Sequence, residues 1–118
     1  MIAGLTIAAL VGTWTCTTPS EPLSHFRETF AADGKGYFSA FYPHGGESHS
    51  TFMYTIESRQ TRYGGYIISR GTNTLPTRIE MRLRNDRLDL TAQQFFRNKT
   101  DGWTTLPDQE TYHCVRSK

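Results

Sequence analysis

Two cysteines, Cys16 and Cys114, stand near opposite ends of a 118-residue chain, each inside a short stretch with strand character. Cys16 follows Gly12-Thr13-Trp14-Thr15, and Cys114 sits within Tyr112-His113-Cys114-Val115-Arg116. If the first and last strands are antiparallel neighbours, the sheet closes on itself. In such a ladder a step back along one strand is matched by an equal step forward along the other. Setting Cys16 opposite Cys114 therefore sets Trp14 opposite Arg116. Facing residues of a non-hydrogen-bonded pair have the Cα separation a disulfide requires. Arginine above tryptophan is a favourable cation–π arrangement. Two pairs of different chemistry thus agree on one closure. The competing reading is two unrelated, reduced thiols of a cytosolic protein. A bridge would imply an oxidising compartment, so the expected location is periplasmic or secreted.

Period-2 alternation dominates the remainder of the chain. In residues 77–85, Ile79, Met81 and Leu83 share one face, while Arg78, Glu80, Arg82 and Arg84 take the other. Asn85-Asp86 reads as a tight turn into residues 87–96, with Leu88, Leu90, Ala92, Gln94 and Phe96 expected on one face. Upstream, Asp33-Gly34-Lys35-Gly36 separates strands over 23–32 and 37–42, and residues 43–48 read as a loop. Residues 50–59 alternate Phe52, Tyr54 and Ile56 against Thr55, Glu57 and Arg59. Gly64-Gly65 suggests a bulge or corner in the following strand. Residues 71–76 and 98–102 read as turns, and Asn98-Lys99-Thr100 fits a glycosylation sequon. No segment is long and helical enough for a βα crossover. The expected fold is all-β, an antiparallel up-and-down barrel of about eight strands, with a two-sheet sandwich as the alternative.

Residues 1–11 form an apolar N-terminal segment, and 12–118 the barrel domain. The segment is too short to span a bilayer and lacks a basic leading region. It is expected to be a short helix plugging one barrel end, or else the remnant of a signal sequence. Thirteen basic against 11 acidic residues give a net charge of +2, dispersed along the strands, which argues against a nucleic-acid partner.

At Gly12-x-Trp14 on the first strand, Arg116 on the last, and the Phe30-to-Tyr37 hairpin with its Asp33-Gly34 turn, the chain resembles the calycin group. That group comprises lipocalins, fatty-acid-binding proteins and small bacterial lipocalin-like proteins. The resemblance covers the whole chain in topology and a handful of residues in motif. It implies that Arg116 packs across Trp14, and that a small, mostly apolar molecule binds inside the barrel. The chain departs from typical lipocalins in its shorter length and in a bridge joining first and last strands.

The expected pocket comprises Trp14, Phe26, Glu28, Phe30, Phe52, Tyr54, Ile79, Met81, Leu90 and Gln94. Three of these, Glu28, Tyr54 and Gln94, are polar groups flanked by apolar residues at strand spacing. A buried carboxyl is costly unless partnered. The trio therefore reads as a ligand-orienting set or an internal network with water, the alternative being that local bulges turn Glu28 outward or that the three satisfy one another. His44 and His49 flank Glu47, but the spacing in a loop is unspecific, and no metal or cofactor is expected. No G-x-S-x-G, phosphate loop or H-E-x-x-H is present, so the expected function is non-enzymatic. The alternative is an exported inhibitor or interaction barrel acting through its loops or N-terminal segment. Outward aromatics among Tyr37, Phe38, Phe41 and Tyr42 offer a surface for a homodimer.

Overall fold

Alternation becomes architecture through nine strands among the described residues, each antiparallel to its neighbours. The computed structural model describes residues 4–72, 74–98 and 102–117, with backbone only for Pro22, Leu23 and Asn98. The turns expected at 71–76 and 98–102, the sequon, and the start of the N-terminal segment thus lie partly outside the described residues. The strands are β1 (Gly12–Thr18), β2 (Glu21–Phe30), β3 (Lys35–Phe41), β4 (Glu47–Thr61), β5 (Gly64–Gly71), β6 (Thr77–Arg84), β7 (Arg87–Asn98), β8 (Gly102–Thr105) and β9 (Thr111–Arg116). Strands β1 to β7 pair in sequence order, β7 pairs with β9, and β9 pairs with β1. This closes an eight-stranded barrel with β8 as an extra strand.

The closing register is the one expected: Trp14 faces Arg116, and Cys16 faces Cys114. The cysteines form a disulfide with their Cα atoms 4.0 Å apart.

Strand β7 is shared along one edge. Its first half pairs with β9, and its second half pairs with β8. Both partners run antiparallel to β7, so β8 and β9 act as one strand interrupted by residues 106–110. Leu106 N–H donates to the Gln93 carbonyl where the chain leaves the ladder.

Three local expectations need correction. The loop before β4 is shorter than residues 43–48, because Tyr42 N–H bonds Gly46 O and Gly45 N–H bonds Tyr42 O; β4 resumes at Glu47. The irregularity near Gly64-Gly65 lies in the facing strand, since Ile56 opposes Ile67 while Gln60 opposes Gly65. Gly64 instead permits close contact between strands, because a Cβ there would lie 1.9 Å from the Met81 carbonyl oxygen. The third correction concerns β7. Ile79 opposes Ala92 and Arg78 opposes Gln94, so Gln93 is an extra residue in a bulge. Beyond the bulge the facing reverses, and Gln94 joins Arg78 on the outside.

The core fills the barrel end that holds the hairpin turns after Phe30, Thr61 and Arg84. Leu10, Trp14, Phe30, Ile67, Met81 and Leu88 are fully buried there. The N-terminal residues seal this end. Helix α1 (Ile7–Leu10) is capped by Thr6, whose Oγ1 accepts from Ala9 N–H, and Leu5 and Leu10 are buried. A helix of one turn has no intrinsic stability in water. Its carbonyls are held by the barrel: Arg116 Nη2 donates to Ala9 O, Trp14 Nε1 to Leu10 O, and Arg116 Nη1 to Val11 O, each at 2.9 Å. The guanidinium also lies 4.2 Å from the Trp14 ring centre. Gly12 adopts a φ of 129°, and a Cβ on it would stand 2.8 Å from Arg116 Nη1. Glycine, tryptophan and arginine therefore form one device that closes the barrel and binds the plug.

Candidate functional site

At the opposite end of the barrel two clefts enter among the described residues. One, of about 290 Å³, is lined by Phe26, Glu28, Phe38, Ala40, Ile79, Leu90, Ala92 and Tyr112, among others. The second, of about 490 Å³, passes Phe52, Ser50, Ser69 and Thr77 and again reaches Glu28 and Phe38. Both clefts therefore meet at one carboxyl group. Strand β2 places it there: Phe26, Glu28 and Phe30 alternate onto the inner face, with Trp14 opposite Glu28 on β1 and Phe38 opposite on β3.

Glu28 is the chemically unusual residue of the molecule. Its Oε2 is buried and has no hydrogen-bond partner among the described residues. Burial pushes its pKa from 4.5 up to about 7, because a carboxylate loses hydration among apolar neighbours. The walls around it are aromatic. Phe26 packs on Phe38 at 5.2 Å between ring centres and edge-on to Tyr112 at 5.4 Å. Tyr112 is itself pushed up by burial, and next by the carboxyls of Glu110 and Glu21 at the rim.

The three polar residues expected to converge do not meet. Gln94 is outside the barrel, because the bulge at Gln93 turns it; its Oε1 accepts from Arg78 Nη1 at 3.4 Å. Tyr54 faces inward, but its ring packs edge-on against Phe30 in the closed half, and its hydroxyl donates to the Ala31 carbonyl at 2.5 Å. Burial and the nearby Asp33 raise its pKa. Glu28 alone remains at the cavity.

Of the other expected pocket residues, Phe26, Ile79 and Leu90 line the smaller cleft and Phe52 the larger. Trp14, Phe30 and Met81 line neither; they are fully buried in the closed half. Phe38 and Tyr112 were missed. Phe38 follows from the Asp33-Gly34 hairpin register, which sets it opposite Glu28, and Tyr112 from sharing a strand face with Cys114.

Two other constellations stay on the surface. His49 Nδ1 meets Ser39 Oγ at 2.8 Å and its Nε2 meets Glu47 at 3.2 Å, both well exposed. No cluster of His, Cys, Asp or Glu suited to a metal occurs among the described residues. A groove of about 510 Å³ crosses the outer faces of β1, β9, β7 and β6, with Arg82, Arg84 and Arg87 beside an Asp89–His113 pair. Outward aromatics include Tyr37 and Tyr42, whereas Phe38 is turned inward against Phe26. Among the described residues no helix is long and apolar enough to cross a membrane.

The closed barrel is compatible with a lipocalin-like fold. No protein-family model, curated protein or solved structure matches the chain.

Proposed function

We propose that this protein is a non-enzymatic binding barrel that holds a small, mostly apolar molecule in the half that the clefts enter, in an oxidising compartment such as the periplasm or the exterior. The observation that carries this reading is the placement of Glu28, a carboxyl with a free oxygen where two clefts lined by aromatic and aliphatic side chains meet. Binding sites of this type combine apolar walls with one or two polar groups that set ligand orientation. Leaving such an oxygen unpartnered costs free energy that a ligand recovers. The disulfide supports an exported location, because cytosolic thiols are kept reduced.

The rival reading, an exported inhibitor or interaction barrel acting through loops or the N-terminal segment, is weakened only at residues 4–11. Their buried side chains and carbonyls are engaged in closing the barrel.

Native mass spectrometry of protein purified without denaturation tests the proposal. A bound adduct of small-molecule mass is expected, and it should disappear in Ala92→Phe, which fills the smaller cleft while leaving the closed half untouched. A stoichiometric protein partner with no small-molecule adduct would refute it.

A further inference from the structure

The cavity has a sign. The chain carries 13 Lys and Arg residues, yet none lines either cleft among the described residues. Arg78 and Arg27 are turned outward, and Arg116 is held over Trp14 at the closed end. Arg78 pairs with Glu57 and lies 3.9 Å from the Tyr66 ring centre, and Arg27 lies over Phe41 on the outer face. Among the described residues the ionisable groups at the clefts are Glu28, Glu21, His25, Tyr42 and Tyr112. Glu28 stands opposite Trp14 and Phe38 on the adjoining strands, and its Oε2 has no hydrogen-bond partner among the described residues. A protein with a net charge of +2 thus places a carboxyl, negative when ionised, where its two described clefts meet.

From this we infer that the natural ligand carries an ammonium group on an apolar body, and that the Glu28 carboxylate receives it. The inference rests on the binding reading above. Three ligand classes can be weighed against the same geometry. Wherever Glu28 is ionised, a fatty-acid-like carboxylate would place a second anion beside it, with no arginine or lysine among the described cleft-lining residues to neutralise either. A wholly apolar molecule would leave Glu28 Oε2 without a partner in a drier site, which raises the cost already present. An alkylammonium supplies a donor and the opposite charge together, and charge-assisted bonds are the stronger ones. The faces of Phe26, Phe38 and Phe52 offer it further cation–π contact. The same step has a pH signature. Alkylammonium groups stay protonated well above neutrality. The carboxyl is the partner that changes, and binding draws its proton off.

The test is calorimetric titration of the oxidised protein with three probes of one shape: tryptamine, 3-ethylindole and indole-3-propionate. At about pH 8.5 tryptamine should bind roughly 10- to 100-fold more tightly than 3-ethylindole, the range for a hydrogen bond to a charged group. That advantage should shrink by about tenfold per pH unit as the carboxyl protonates. Glu28→Gln should abolish it, bringing tryptamine and 3-ethylindole to similar affinities at every pH. The pH profile of the unaltered protein tests the same point without a variant. If 3-ethylindole binds and tryptamine is no tighter, or indole-3-propionate is preferred, the ammonium inference is overturned and the binding barrel stands. If none of the three binds, both are overturned.

Discussion

Glu28→Gln should stabilise the ligand-free protein, and by an amount that depends on pH. The side chains match in shape, and only the glutamate can ionise. In the unfolded chain the carboxyl has its ordinary value of 4.5; in the barrel, burial raises it to about 7. Below the lower value both states are protonated and the group contributes nothing. Between the two, the unfolded chain releases its proton first, so the native state holds more protons and stability falls as pH rises. Above the higher value both are ionised and the full cost persists. At about 1.4 kcal/mol per pH unit, that cost is about 3 kcal/mol. The stability gained by Glu28→Gln should therefore be near zero at about pH 4 and grow to about 3 kcal/mol at about pH 8.5. The remaining titratable groups are common to both proteins and cancel in the difference. Urea unfolding across this range, followed by tryptophan fluorescence, measures it. A difference that is flat with pH would refute the reasoning, and so would a variant less stable than the parent at high pH, because the carboxylate would then be stabilised in place.

The other expectations concern the closed half. Arg116→Ala removes two guanidinium hydrogen bonds and the stack on Trp14, and should cost about 3 kcal/mol; hydrogen exchange should show the Leu10 and Val11 amides losing protection. Gly12→Ala forces a side chain into a φ of 129° and against Arg116 Nη1, and should lower stability by about 2 kcal/mol in thermal unfolding. Replacing Cys16 and Cys114 together by serine opens a loop with a sequence separation of 98 and should cost about 4–5 kcal/mol in guanidinium unfolding, with m increased by a less compact unfolded state.

The closure was legible because an antiparallel ladder allows no freedom once one pair is set: Cys16 with Cys114 entails Trp14 with Arg116. The face of Glu28 was legible for a related reason, since the alternation from Phe26 to Phe30 runs unbroken. Gln94 was misplaced because a bulge leaves no trace in hydrophobic pattern. The alternation through Leu88, Leu90 and Ala92 continues to read smoothly across Gln93, and only the paired strand reveals that two residues oppose one. Tyr54 shows a different limit. Its inward face was correct, but where its hydroxyl ends depends on a carbonyl of the hairpin at Ala31, which no spacing along β4 encodes. Strand β8 likewise belongs with β9 only because both find the same edge of β7, a relation visible in three dimensions alone.

The two halves of the barrel answer to different demands, and the difference explains how the site survives. A carboxyl that opposes folding as pH rises can be retained only if the barrel is held by contacts indifferent to pH over the same range. The Cys16–Cys114 bridge does not titrate, and Arg116 stacks on Trp14 across the same two strands. Both act along the β1–β9 seam, where Trp14 sits directly opposite Glu28 on the next strand. The seam therefore secures the strand against which the costly residue packs. Above the pH at which Glu28 ionises, an ammonium ligand would relieve the same cost from inside the cavity. Seam and ligand should then be partly interchangeable: with the disulfide reduced, the empty barrel should come closest to unfolding at high pH, and a bound amine should restore part of the lost stability there.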